Sequence, residues 1–400
     1  MGCGPTQDLV QEVEGSLEAN LLFIDDGSNK VLVISVDALY VGEHIRNSLV
    51  SALQGQIEND HIFIAATHTH YAPMLDDTKP ELGKADDDHM QGVAARLTTA
   101  AQDLVESVIE TELTIEPLQF ETSIAIERRK KRFLAITGRR LRFNAVAMAP
   151  SKLRRPNLAD IVTLRTADGK AICTIVQIAC HPTSVPNQCK HTAAYATTVR
   201  QVCRARQNFI PVLVFQGFSG DLRPDSTRPK NALGWIRRLA FGRFFTPMDE
   251  SEYREWLLSL KNELAGSMNE SPSPVRLKAV GADLTQVPLH ALHITRNRDN
   301  LGPSHLHIQS VDLGPVSLLG ISAEVVSEYA DLCRSMKSNS SVLPVSCLAA
   351  TFGYLPTSEM VRDGGYESAH SLKFFNLTKI SADIEASFSQ ALNEHFGECS

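Results

Sequence analysis

The sequence predicts an α/β protein in which mixed β-sheets are flanked by helices. Three observations predict it. Apolar runs of four to ten residues recur along the chain, bounded by turn residues. The first of them alternate with longer stretches of helical spacing, the rhythm of an α/β fold. The 400 residues are 43% hydrophobic and 21% charged, enough apolar chain to bury a large core.

The elements follow in order. Leu21–Ile24 and Val31–Val36 flank Asp26-Gly27, a hairpin signal. Both runs are almost wholly apolar, so the sheet is expected to be covered on both faces. A helix is expected from about 41 to 53, then the strand 61–66, then a second helix from about 86 to 110. The stretch from Arg128 to Arg155 holds eleven Lys or Arg residues and no acid. Its periodicity is weak, and it reads as a long excursion. Regular structure resumes at Ile161–Leu164, then in the apolar runs Ala171–Cys180 and Pro211–Phe215. A second irregular insert is expected at about 225–249, followed by a helix from about 250 to 264 and a linker-like stretch from 266 to 274. The C-terminal third predicts strands near 276–284, 307–313 and 316–321, and helices near 323–337 and 381–396. The organisation expected is one large catalytic unit over 1–400, with inserts at about 128–157 and 225–249.

Charge and composition exclude several roles. No apolar run approaches the roughly 20 residues of a membrane-spanning helix. The net charge of −7 argues against a nucleic-acid partner, and few stacking aromatics interleave with the basic run. The eight cysteines include no C-x-x-C pair. They read as free thiols in a reducing compartment, and with no secretion signal in view a cytoplasmic location is expected. Met1-Gly2-Cys3-Gly4 fits a loose acylation pattern, but a glycine-rich loop is the simpler reading.

Three strand ends carry reactive side chains. Thr67-His68-Thr69-His70 follows the strand 61–66. Two histidines at i and i+2 of an extended segment point to one side, as a metal site needs. Cys180-His181-Pro182-Thr183-Ser184 follows the next apolar run, where the proline stops the strand and leaves His181 at its tip. Gln216-Gly217-Phe218-Ser219-Gly220-Asp221-Leu222-Arg223-Pro224 follows the third, presenting Asp221 and Arg223 on a glycine-rich loop. Each has a bland reading: a hydrogen-bonded structural histidine, or a tight turn. Strand tips are nonetheless where α/β sheets bind ligands, and chance explains all three together less easily than each alone.

With these segments in hand, the sequence resembles the N-terminal catalytic domain of the neutral/alkaline ceramidase family. The resemblance rests on Val36-Asp37-Ala38, Ala66 to His70, Cys180 to Ser184, Gln216-Gly217 with Gly220-Asp221 and Pro224, Ala323-Glu324, Tyr354-Leu355-Pro356-Thr357 and Gly365-Tyr366-Glu367. They occur in the family's order. The resemblance implies a single zinc site used to hydrolyse an amide bond by metal-activated water. It implies that His68, His181, Glu324 and Tyr354 hold the metal. It places His70 close by as a hydrogen-bonding partner. In catalysis His70 is expected to orient groups or relay protons, and Asp221 and Arg223 to line the substrate side.

The sequence also departs from the family. Arg223 stands where ceramidases carry a serine implicated in catalysis. An arginine cannot replace that hydroxyl, but it grips carboxylates and phosphates bidentately. Met74-Leu75-Asp76-Asp77 replaces a glycine-rich segment. At this length the family's immunoglobulin-like C-terminal domain is not expected.

The expected partner is therefore a small-molecule or lipid-like N-acyl substrate, with Arg223 suited to bind an anionic group on it. The aromatic and arginine-rich segment 235–245 suits a peripheral membrane contact or a lid beside the site, or a packing loop whose arginines cover its outer face. Two other functions stay open: a catalytically diverged binding or scaffold module, and a metal hydrolase of esters or phosphates.

Overall fold

The computed structural model describes residues 12–136, 139–151, 153, 155–186, 190–208, 210–226, 248–270, 272–297 and 302–397. Most of the 225–249 insert, including 235–245, lies outside them. So do the N-terminal Met1-Gly2-Cys3-Gly4, Cys189 and Cys399. The architecture is mixed α/β, as the sequence predicts.

The predicted first hairpin forms from Ala19–Asp25 and Lys30–Val36, and Gly27 takes the positive φ of 86° that its turn requires. Ile62–Ala66 adds in parallel to Lys30–Val36. Both faces of this small sheet are covered. On one side Val33, Phe63 and Ala65 pack with Phe215, Leu318 and Val345 from two larger sheets. The rings of Phe63 and Phe215 meet edge to face at 5.7 Å. On the other side Ile34 and Ile64 pack with the helices Glu43–Ala52 and Asp87–Glu106. Both helices fall within the spans the sequence predicts.

The five-stranded sheet runs Val212–Gln216, Ala171–Ile178, Leu158–Thr166, Leu113–Glu121, Val275–Arg276. Its first pair is parallel and the rest antiparallel. The four-stranded sheet runs Gly281–Pro288, His305–Asp312, Val316–Ile321, Ser341–Val345 and ends in a parallel pair. Because the parallel strands leave these sheets at one end, their following loops gather there. Ala66 N–H donates to the Cys347 carbonyl at 3.0 Å, Ser346 N–H to Gln216 at 2.8 Å and Gly217 N–H to Ile178 at 2.8 Å.

The basic stretch differs from expectation. It is not an irregular excursion but two paired antiparallel strands, Ala125–Ile136 and Arg139–Ser151, with Leu222–Pro224 on their edge. Its first arginines are not solvated. Arg128 is buried, and both Arg128 and Arg129 donate to the buried Glu367 carboxylate. That ion pairing substitutes for the apolar pattern that would have marked a strand.

Two histidines outside the strand-end cluster set a pH response. Burial, reinforced by Arg46 and His305, pushes the His307 imidazole down to about 4. Burial, with Lys337 and against Asp283, pushes His395 down to about 4. Both are neutral in the folded chain at pH 5, whereas the unfolded chain protonates them near 6.5. The unfolded state then holds more protons, so the stability they contribute is complete above pH 6.5 and is lost as pH falls toward 4. The urea midpoint is expected to drop between pH 7 and pH 5, and to drop less in His395→Gln. Equal drops in the two proteins would contradict this.

Candidate metal centre

Each strand-end segment is fixed by its neighbours. Asp37 and Thr67 follow two parallel strands and therefore emerge side by side. Thr67 donates its hydroxyl to the Asp37 carboxylate at 3.1 Å. The buried Arg200 donates twice to the same carboxylate, at 2.6 and 2.8 Å, and Glu18 N–H donates at 2.8 Å. This network holds the start of the histidine segment.

His68 does not continue the strand. Its φ is +63°, a left-handed conformation uncommon for a residue with a side chain. The strand alternation expected for His68 and His70 therefore does not apply. The turn itself brings the two rings together, with centroids 5.0 Å apart.

His181 arrives from the end of Ala171–Ile178, and its ring lies 4.7 Å from His68 and 5.0 Å from His70. Potential ligand nitrogens of the three histidines all lie within 4.8 Å of one another. Glu324 and Tyr354 come from a two-residue parallel ladder in which they are direct partners, so their side chains share a face. Glu324 Oε1 accepts from the Tyr40 hydroxyl. Its Oε2 is buried, has no hydrogen-bond partner among the described residues, and lies 3.4 Å from His68 Nε2 and 3.9 Å from His181 Nε2. The two Nε2 atoms are 3.3 Å apart.

Two of these spacings, 3.3 and 3.4 Å, match those between ligands of one tetrahedral zinc ion, and the 3.9 Å separation of His181 from Glu324 is somewhat wider. Ligands about 2.0–2.2 Å from zinc lie about 3.3–3.6 Å from one another. The tautomers suit it as well. His68 Nδ1 faces the Leu39 carbonyl at 3.1 Å and His181 Nδ1 faces the Ser219 carbonyl at 3.4 Å. Donation from each Nδ1–H leaves both Nε2 lone pairs directed inward.

The electrostatics agree. Burial would push His68 down, but Cys347 and Glu324 overcome it and hold the imidazole well above the ordinary histidine range. Burial would raise Glu324, but His68 and the Tyr354 and Tyr40 hydroxyls bring it to about 2. Burial and the neighbouring His68, Arg128 and His70 push His181 well down. Burial and Glu324 keep the Tyr40 and Tyr354 hydroxyls protonated. The centre thus favours positive charge between His68 and Glu324, where a divalent ion would take the proton's place.

Among the other expected residues, Tyr354 lies beside Glu324, and its hydroxyl accepts from Arg128 at 3.2 Å. His70 is half-buried within the cluster. The Asp221 carboxylate is buried and accepts from Ser327 N–H at 2.7 Å and from its hydroxyl at 3.0 Å, clamping the glycine loop to the segment after Glu324. Gly220 lets the loop close: a Cβ there would lie 2.9 Å from the Glu324 carbonyl. Arg223 is half-buried on Leu222–Pro224, near the Cys180 thiol.

Sequence reasoning missed Tyr40, Cys347 and Arg128. Arg128 donates to Gly220 O at 2.5 Å and to Glu367 at 2.9 Å, and its guanidinium lies 5.7 and 5.1 Å from the Tyr354 and Tyr366 ring centroids. Nothing local marks it within a run of basic residues.

Fold and site together define an α/β domain with a histidine–carboxylate cluster at its strand ends that could hold a metal ion. No family model matches the sequence, and no curated protein matches it. Solved structures do. Neutral ceramidase from Pseudomonas aeruginosa is similar with a TM-score of 0.71 and 13% identity, over 94% of this chain and 68% of that one. A ceramidase complexed with C2 is similar with a TM-score of 0.70 and 13% identity, over 94% of this chain and 69% of that one. The chain has the ceramidase fold, as its ordered motifs imply, in a strongly divergent sequence.

Proposed function

We propose that this chain is a zinc-dependent hydrolase of a non-peptide amide bond, acting on a lipid-like N-acyl substrate. The observation that carries the reading is the convergence of His68 Nε2, His181 Nε2 and Glu324 Oε2. Two imidazoles and a carboxylate suit zinc better than a hard cation. Tyr354 completes the set, and a bound zinc would supply water activated near neutral pH and a polarised carbonyl.

The chain's own residues do the rest. Tyr40 and Arg128 orient Glu324 and Tyr354. His70 moves the proton from the attacking water to the departing amine. Asp221 braces the glycine loop, and Arg223 on that loop grips an anionic group of the substrate. A cleft of ≈ 370 Å³ is lined by Tyr366, Ala369, His370, Lys373 and Phe374, and the Tyr366 ring lies 5.6 Å from that of Tyr354. Its aromatic and basic lining suits an amphiphile.

Zinc-loaded protein is expected to cleave N-acyl amino acids faster than uncharged ceramide, and to lose turnover on chelation. Arg223 also motivates a second reading, hydrolysis of anionic esters or phosphates. Turnover of those substrates without N-acyl cleavage would favour it. Bound zinc with no turnover of either would leave a binding module.

A further inference from the structure

Lys79 is 2% exposed and pairs with the buried Asp76. Its ammonium also donates to the Thr78 hydroxyl at 3.2 Å. Burying an ion pair rarely stabilises a fold more than apolar residues of the same size would. Stability therefore does not account for this one.

Its position does. Lys79 Nζ sits 5.1 Å from the centroid of the Tyr40 ring. The Tyr40 hydroxyl donates to Glu324 Oε1, and the same ring lies 5.3 Å from His68. The segment carrying Lys79 is locked beside Tyr40. Val41 bridges to Leu75, and Gly42 N–H donates to the Leu75 carbonyl at 2.9 Å. A Cβ on Gly42 would come within 3.0 Å of that carbonyl oxygen.

We propose that Lys79 is a positioning residue for the metal centre, acting through Tyr40. A cation over a phenol ring draws electron density from it. The hydroxyl becomes a stronger donor, fixes Glu324 by Oε1 and leaves Oε2 turned toward the histidines. Asp76 keeps the cation in place. The proposal rests on the metal reading of His68, His181 and Glu324.

The test is zinc affinity by competition with a chromophoric chelator. Lys79→Met alone would strand a buried carboxylate, so the working variant is D76N/K79M, which removes both charges. It is expected to bind zinc on the order of fivefold more weakly. Y40F is expected to bind about tenfold more weakly, and adding D76N/K79M to Y40F should cost nothing further. A purely structural pair would weaken binding equally in both backgrounds. In the cobalt-loaded protein the visible bands of D76N/K79M and Y40F should shift alike. Should D76N/K79M not fold, D76N/K79Q gives the same cycle.

Wild-type affinity in the D76N variants, or the same loss with and without Tyr40, overturns the role of Lys79 alone. A wild-type protein that takes up no zinc overturns the metal reading and this proposal with it.

Discussion

Arg200→Met is expected to cost the fold about 3–5 kcal/mol, the usual penalty for removing one partner of a buried ion pair. Arg200 and Asp37 are both buried, 2% and 4% exposed. The guanidinium supplies two of the four donors on the Asp37 carboxylate, at 2.6 and 2.8 Å. Without it Asp37 keeps only Thr67 and the Glu18 N–H, and its charge stays in a dry core. Asp37 in turn anchors Thr67, one residue before His68, so zinc affinity should fall with stability. D37N/R200M, which removes both charges, should recover most of the loss. Urea denaturation of the three proteins checks this. An Arg200→Met midpoint equal to wild type would mean that water or another cation satisfies Asp37.

The second large effect is expected at Glu324. Glu324→Gln keeps the size of the side chain and an oxygen able to accept from Tyr40. It removes the charge that His68 and a metal both answer. Zinc affinity is expected to fall by about 100-fold, the upper range for disturbing a metal site through its ligands and their supports. Isothermal titration with zinc measures it. The melting temperature without metal should also fall, because Gln still accepts from the Tyr40 hydroxyl but leaves the buried His68 without its carboxylate partner. A full loss of folding would instead make Glu324 a structural residue.

Much of this was legible in the sequence where apolar patterning decides the structure. The strands Lys30–Val36, Ile62–Ala66 and Val212–Gln216 are buried throughout or nearly so, and such runs announce themselves. His68, His181 and the glycine loop stood out because each follows one of them directly.

Other elements were hidden by polar residues whose partners lie far along the chain. The helix Tyr195–Gln207 escaped because the charged Arg200 lies in its buried face beside Val199 and Cys203. That charge makes sense only with Asp37, 163 residues away. The strand Leu113–Glu121 mixes Glu, Pro and Gln into its sequence and pairs with Leu158–Thr166. The basic strands escaped for the same reason, since the partner of Arg128 is Glu367, 239 residues on. Tyr40, Cys347 and Lys79 carry no local signal either; they matter because the sheets bring three loops to one end. The geometry of the histidine pair was misjudged because the left-handed turn at His68 is not written in residue type.

The central proposal is a zinc centre formed by His68, His181 and Glu324. Elemental analysis of purified protein beside His181→Ala tests that most directly. About one zinc per chain in the wild type, lost in the variant, is the expected result. No zinc in the wild type even after zinc is supplied, or the same content in both proteins, would contradict it.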